Sequence, residues 1–140
     1  MRPFDSYMAA MELAGAARLD MRVPTLHAPY LHTLTFEGQT WSTPFFQLQV
    51  RASPGATGTA IIDLSNATIG NEGIGYAVDG ADTVLYIQID KATLEALDPS
   101  GAEPGAANEL VYDLVVIPVG APSELLAAGY FDIFDGVTIP

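Results

Sequence analysis

From residue 33 onward the hydrophobic residues recur at every second position, a period that an α-helix cannot place on one face. The stretch 45–51, FFQLQVR, sends Phe46, Leu48 and Val50 to one side and Gln47, Gln49 and Arg51 to the other. Residues 83–89, TVLYIQI, do the same, with Leu85, Ile87 and Ile89 opposed to Val84, Tyr86 and Gln88. Such alternation predicts strands with one face on a core. Residues 33–37, 58–64 and 74–78 give further strands, and 124–134 gives the last, ending at Gly136. Residues 109–117, ELVYDLVVI, form the longest apolar run and predict a central strand covered on both faces. Turn signals lie between them at Ser53-Pro54-Gly55, at Asp79-Gly80, and through Gly120 between Pro118 and Pro122. Residues 91–97 suit one or two helical turns, and 98–108, with two Pro and two Gly, an exposed loop. Six to eight short strands at this spacing predict an all-β fold, a sandwich or a barrel.

The N-terminal segment follows another pattern. Residues 4–19 predict a short helix capped by Asp5 or Ser6, with Tyr7, Met8, Met11 and Leu13 as a rough apolar stripe and Gly15 weakening it. Pro24 and Pro29 then break regular structure, so 20–31 reads as an extended connector. The expected organisation is an arm at 1–33 followed by a β domain at 34–140. Tyr7, Met8, Met11 and Leu13 are its candidate assembly contacts: the helix either orders on a neighbouring protein or packs on its own body.

At 140 residues one domain is expected. The net charge of −12 is unevenly distributed. Residues 1–51 balance four Arg against four acids, whereas 52–140 carry Lys91 alone against thirteen, 1 − 13 = −12. An acidic body repels phosphate, so neither nucleic acid nor an anionic membrane is an expected partner. No apolar run reaches the roughly 18–20 residues of a membrane span, and Asp5 and Glu12 interrupt any secretion-signal core. The chain is expected to stay soluble or to be built into a particle inside a cell. With no cysteine, redox chemistry says nothing of the compartment.

Groups that carry chemistry are few. His27 and His32 lie five residues apart, but a zinc site needs further ligands and the chain has no Cys and no third His. Either histidine would have to fold back onto the body to serve a catalytic triad, and no G-x-S-x-G elbow is present. Asp79 with Asp82, Asp132 with Asp135, and Asn71 with Glu72 sit at turns without the EF-hand spacing. The glycines of GNEGIG, 70–75, lie in a turn and carry no nucleotide signal. Asp113, inside the most apolar strand, is expected to anchor a loop. Phe46 and Phe131 are expected in the core, and Trp41, Tyr86 and Tyr130 as exposed aromatic contacts. Catalytic residues, metal, cofactor and small-molecule substrate are therefore expected to be none.

A series of motifs from residue 37 onward, in order, resembles a family of bacteriophage tail and baseplate proteins, namely the N-terminal domain of the siphophage baseplate upper protein. Gly38-Gln39-Thr40-Trp41 is similar to its G-D-T-W opening, with Gln39 where Asp is usual. Val50-Arg51-Ala52-Ser53-Pro54-Gly55-Ala56 is similar to its I-R-x-S-P-G-A strand and turn. Gly73-Ile74 with the strand Val84–Ile89 resembles its middle hairpin, and Lys91-Ala92-Thr93-Leu94-Glu95-Ala96-Leu97 its short helix. Leu110-Val111-Tyr112-Asp113-Leu114 resembles its Y-V-Y-D-L strand, and Leu125-Leu126 through Gly129, then Val137-Thr138, its ending. The 1–33 segment and the 98–108 loop are longer than the family implies. The resemblance implies an immunoglobulin-like antiparallel β-sandwich, here with a short N-terminal helical arm, that docks onto other virion proteins and carries no catalytic residues. It implies synthesis in the host cytoplasm, assembly into the virion and repeated copies, hence a homo-oligomer. The chain ends just after the resembling stretch, which favours an adaptor at tail, baseplate or fibre attachment over a host-binding role. A head decoration or spike protein is a variant of this reading. A carbohydrate-binding module, which exposed Tyr or Trp would support, and a small hydrolase, which would need a clustered His or acid pair, are the rivals.

Overall fold

Alternation sorts the side chains in the structure as it does in the sequence. In a computed structural model, which describes residues 2–97 and 107–134, strand β4 (Phe45–Arg51) buries Phe46, Leu48 and Val50 and leaves the residues between them partly covered. It pairs antiparallel with β5 (Ile62–Ser65) and with β8 (Ala107–Ile117). β8 pairs in turn with β9 (Glu124–Phe134), with a bulge after Leu114. Two short strands, β1 (Ala17–Arg18) and β2 (Met21–Val23), run parallel to β9 and complete a sheet of order β1/β2, β9, β8, β4, β5. The second sheet has three strands, β3 (Tyr30–Phe36), β7 (Asp82–Ile89) and β6 (Gly73–Asp79), with β7 in the middle. Among the described residues two helices, α1 (Asp5–Leu13) and α2 (Lys91–Glu95), complete the elements. The fold is all-β in two sheets, as the period-two pattern predicts.

The sheets face each other over one core. Phe46 of β4 meets Tyr76 of β6 edge-on with ring centroids 5.4 Å apart, and Tyr30 of β3 meets Phe131 of β9 at 6.1 Å. Leu85, Ile87 and Ile89 fill the core from the smaller sheet and Leu48, Leu114 and Phe131 from the larger, with Leu94 of α2 plugged in at one end. Each such side chain contributes roughly 1.5–3 kcal/mol relative to exposure. β8 is central, as its apolar run predicts: Leu110, Tyr112, Leu114 and Val116 face the core, and Val111 is buried on the other side. After β5 the chain leaves the larger sheet for the smaller. Asn66 bridges to Ile74 of β6, while its side chain accepts the Phe46 N–H at 2.8 Å and donates to the Pro44 carbonyl at 2.9 Å.

The N-terminal segment departs from expectation. The helix ends at Leu13 instead of running to 19, because Gly15 adopts φ +100° and the Ala16 N–H turns back to the Met11 carbonyl at 3.0 Å. The expected connector 20–31 contains β2 and the start of β3. Met21 and Val23 are 1% exposed and belong to the core. The boundary expected at 33/34 therefore falls inside β3, and residues 2–33 are part of the body, not a separate arm. Strands of two and three residues are too short to display a period, which hides them from the sequence. The third strand, expected at 58–64, forms at 62–65, and β8 begins at 107, before the expected 109. The expected loop at 98–108 lies up to residue 106 outside the described residues, as do Asp135, Gly136 and the Val137-Thr138 pair.

Candidate docking surface

The two outer faces of the double layer are treated differently. On the larger sheet, α1 forms a roof. Met8 is fully buried against Val111 and Tyr130, with Phe4 and Tyr7 packed beside them. Met11 is half-buried, and Leu13, at 92% exposure, points to solvent. Of the four residues expected as assembly contacts, Tyr7, Met8 and Met11 are thus at least partly covered in the chain's own fold, and only Leu13 is free.

The same roof corrects the reading of Tyr130. Expected as an exposed contact, it is fully buried. Its position on β9 does point it to the outer side, but the chain's N-terminus folds over it. The Arg2 guanidinium lies 3.6 Å above the ring and pairs with Asp132 on the same strand. The Tyr130 hydroxyl accepts the Phe4 N–H at 2.8 Å and donates to Asp5 at 3.1 Å. Trp41 is half-buried, edge-on to Phe36 and Phe46, and its Nε1–H donates to Glu124 at 2.7 Å. Of the three expected exposed aromatics, Tyr86 alone presents an open face.

Tyr86 stands at the centre of the outer face of β3-β7-β6, which the 66–70 segment covers only on its β6 side. The register sets three rows across it: Leu31, Gln88 and Gly73; Thr33, Tyr86 and Gly75; Thr35, Val84 and Ala77. Gly75 is required here because the 66–70 segment lies directly on it: a Cβ at 75 would come within 2.6 Å of the Ile69 side chain. Ile69 is thereby laid beside Tyr86, and together with Leu31 it walls a groove of about 220 Å³ floored by Thr33 and Gln88. Leu31 is 66% exposed, Ile69 52% and Tyr86 36%. Beyond Leu31 a second depression of about 320 Å³ opens between Pro24, Ala28 and Tyr30. Phe45, Ile117 and Val119 form a separate exposed apolar group at the end of β4 and β8. Leu31 and Ile69 were not singled out from the sequence; the outward parity of Leu31 on β3 was the available signal.

Elsewhere the polar groups are engaged in holding the fold. Arg51, not Asp113, anchors the loop after β4: its guanidinium donates to the carbonyls of Ala56 at 3.2 Å and Gly58 at 2.8 Å. Asp113 sits beside it, half-buried, and burial pushes its carboxyl above the usual range against the opposing pull of Arg51. The Tyr7 hydroxyl nearby is pushed up by burial and by the Asp113 charge. The depression they share is about 60 Å³, water-sized and too small for a substrate. The two histidines do not come together. His27 Nδ1 meets Glu95 at 3.1 Å, whereas His32 stacks on Tyr30, and burial lowers its pKa. Asp82 accepts the Gly38 N–H and Glu72 the Asp90 N–H, so these turn acids bond backbone. Among the described residues no three His, Asp or Glu side chains group as metal ligands, and no helix is long and apolar enough to cross a membrane. Comparison with protein-family models and with curated proteins returns no match.

Proposed function

We propose that the chain is a non-enzymatic structural protein of a bacteriophage virion, an adaptor at the tail, baseplate or fibre attachment that docks through the outer face of its three-stranded sheet. The observation that carries the docking is the contrast between the faces: the larger sheet is roofed by α1, while the smaller leaves Leu31, Ile69 and Tyr86 open around a groove. The virion assignment rests on the run of motifs from Gly38 to Thr138.

The strand order supports an immunoglobulin-like sandwich. With β3, β4 and β5 as strands B, C and C′, β6 and β7 become D and E, and β8 and β9 become F and G. The two sheets then read B-E-D and C′-C-F-G, with β1 and β2 added in parallel beside G; relative to the variable-type arrangement, C″ and the strand A beside B are missing among the described residues. The carbohydrate-binding reading loses ground because, of the three expected aromatic contacts, Tyr130 is buried and Trp41 is tied to Glu124, while the exposed Phe45 lies in the separate group with Ile117, away from Tyr86.

The test is to purify particles of the phage that encodes the chain and to locate it by mass spectrometry and immunogold labelling. Label at the tail or baseplate is the expected result. Recovery of the chain only from the host lysate, with none in washed particles, would refute the proposal.

A further inference from the structure

The arginines of the molecule are confined to one of its two layers, where carboxylates accompany them. All four belong to the layer of the larger sheet. Arg2 pairs with Asp132, Arg18 with Asp20, Arg51 holds loop carbonyls, and Arg22 lies 4.4 Å over the Phe134 ring. The strands of the smaller sheet carry no Lys or Arg. Carboxylates bracket them instead: Glu37, Asp79 and Asp82 at the hairpin end, Glu72 and Asp90 at the other, with Lys91 the one cation alongside. Between the two acidic ends the exposed face is neutral, with Leu31, Thr33, Thr35, Tyr86 and Gln88 on its strands and Ile69 lying over it.

We infer that this face receives a basic protein surface, one that sets an apolar side chain into the groove between Leu31, Tyr86 and Ile69 and places Lys or Arg against the carboxylates at either end. This rests on the docking reading above and adds the chemistry of the partner. A second copy of the chain does not fit, because it brings the same carboxylates to the contact and a further charge of −12. The apolar centre supplies contact area, and the charged ends set selectivity and association rate.

The test uses the full chain, isotope-labelled, titrated by NMR with an alternating lysine–leucine octapeptide and with its glutamate–leucine counterpart. The lysine peptide is expected to shift amides of β3, β6 and β7 most. Its affinity should fall about tenfold or more between roughly 50 and 300 mM salt. Leu31→Ser and Tyr86→Ser, both at exposed positions, should each weaken it about fivefold or more, whereas Val119→Ser on the separate apolar group should not. Equal binding of the glutamate peptide, shifts centred on the larger sheet, or equal loss with Val119→Ser would overturn the inference. So would self-association abolished by Leu31→Ser, which would make a second copy the occupant. A chain found in particles that ignores the lysine peptide defeats only this inference. A chain that binds the peptide but is missing from particles defeats only the functional proposal.

Discussion

Gly129 lies where the link between β1 and β2 crosses β9, and it has no room for a methyl group. A Cβ built there would stand 2.1 Å from the Leu19 carbonyl oxygen and 2.6 Å from its carbon, both backbone atoms and well inside van der Waals contact. Gly129→Ala must therefore lift the Leu19–Asp20 link off β9. Three hydrogen bonds depend on that link: Leu19 N–H to the Ala128 carbonyl, Tyr112 hydroxyl to the Leu19 carbonyl, and Tyr130 N–H to the Asp20 carboxylate. Overpacking costs roughly 1–3 kcal/mol, and each hydrogen bond lost adds roughly 1. With two of the three broken the substitution costs about 3–5 kcal/mol. Urea unfolding and calorimetry measure it, and for a domain of this size the midpoint should fall by about 10–15 °C. Gly80→Ala is the control. Gly80 has φ +63° and nothing within 4 Å of its Cβ position, so only the left-handed backbone penalty of roughly 1–2 kcal/mol applies. A Gly129→Ala protein within 0.5 kcal/mol of the parent, or less affected than Gly80→Ala, would show that the link does not bear on β9 as described.

Met8→Ala should cost roughly 2–4 kcal/mol in urea unfolding, since the side chain is fully enclosed, while Leu13→Ala at 92% exposure should stay within about 0.5. A chain starting at Thr33 loses α1, β1, β2 and the core side chains Met21 and Val23 and should show no cooperative unfolding by circular dichroism; a folded monomer would reinstate the separable arm. Burial raises the Asp113 carboxyl above its unfolded value of 3.8, so the folded chain holds that proton more tightly and loses stability as pH rises through this window. Asp113→Asn should accordingly be more stable than the parent at pH 7, with the gain vanishing below about pH 4; a gain independent of pH would disprove the linkage. His32 behaves in the opposite sense. Its lowered pKa means stability is present above 6.5 and lost as pH falls below it, so His32→Leu should flatten the unfolding midpoint across that range.

How much of this was legible in the sequence depended on the length of each element. β4 was readable to the residue and β7 to within one residue, because seven or eight positions display a period of two, and the sides assigned to Phe46, Leu48 and Val50 and to Leu85, Ile87 and Ile89 are the buried ones. β1 and β2 were not, because two or three residues show no period and their pairing with β9 lies about 110 positions away. Tyr130 was misjudged for a related reason. Alternation assigns it to the side away from the core, but nothing local says that α1 and Arg2 will cover that side and leave Tyr86 bare. The glycines of 70–75 were read as a turn; two of them, Gly73 and Gly75, instead lie in β6 and allow the 66–70 segment to rest on the sheet. The groove follows from that close approach and from Leu31, which was read as part of the connector before β3 and whose neighbour Ile69 comes from another element.

If the chain is assembled into a particle as proposed, the outer face of β3-β7-β6 is its contact there. The chain has no cysteine, so Tyr86→Cys, Leu13→Cys and Val119→Cys each place a single thiol on a chosen surface. Rates of thiol alkylation would be compared between the free chain and purified particles. The account predicts that the thiol at position 86 slows by about tenfold or more on assembly, as a residue within an interface does, while that at position 13 is unchanged. A thiol at position 86 that reacts as fast in the particle as in the free chain would contradict it.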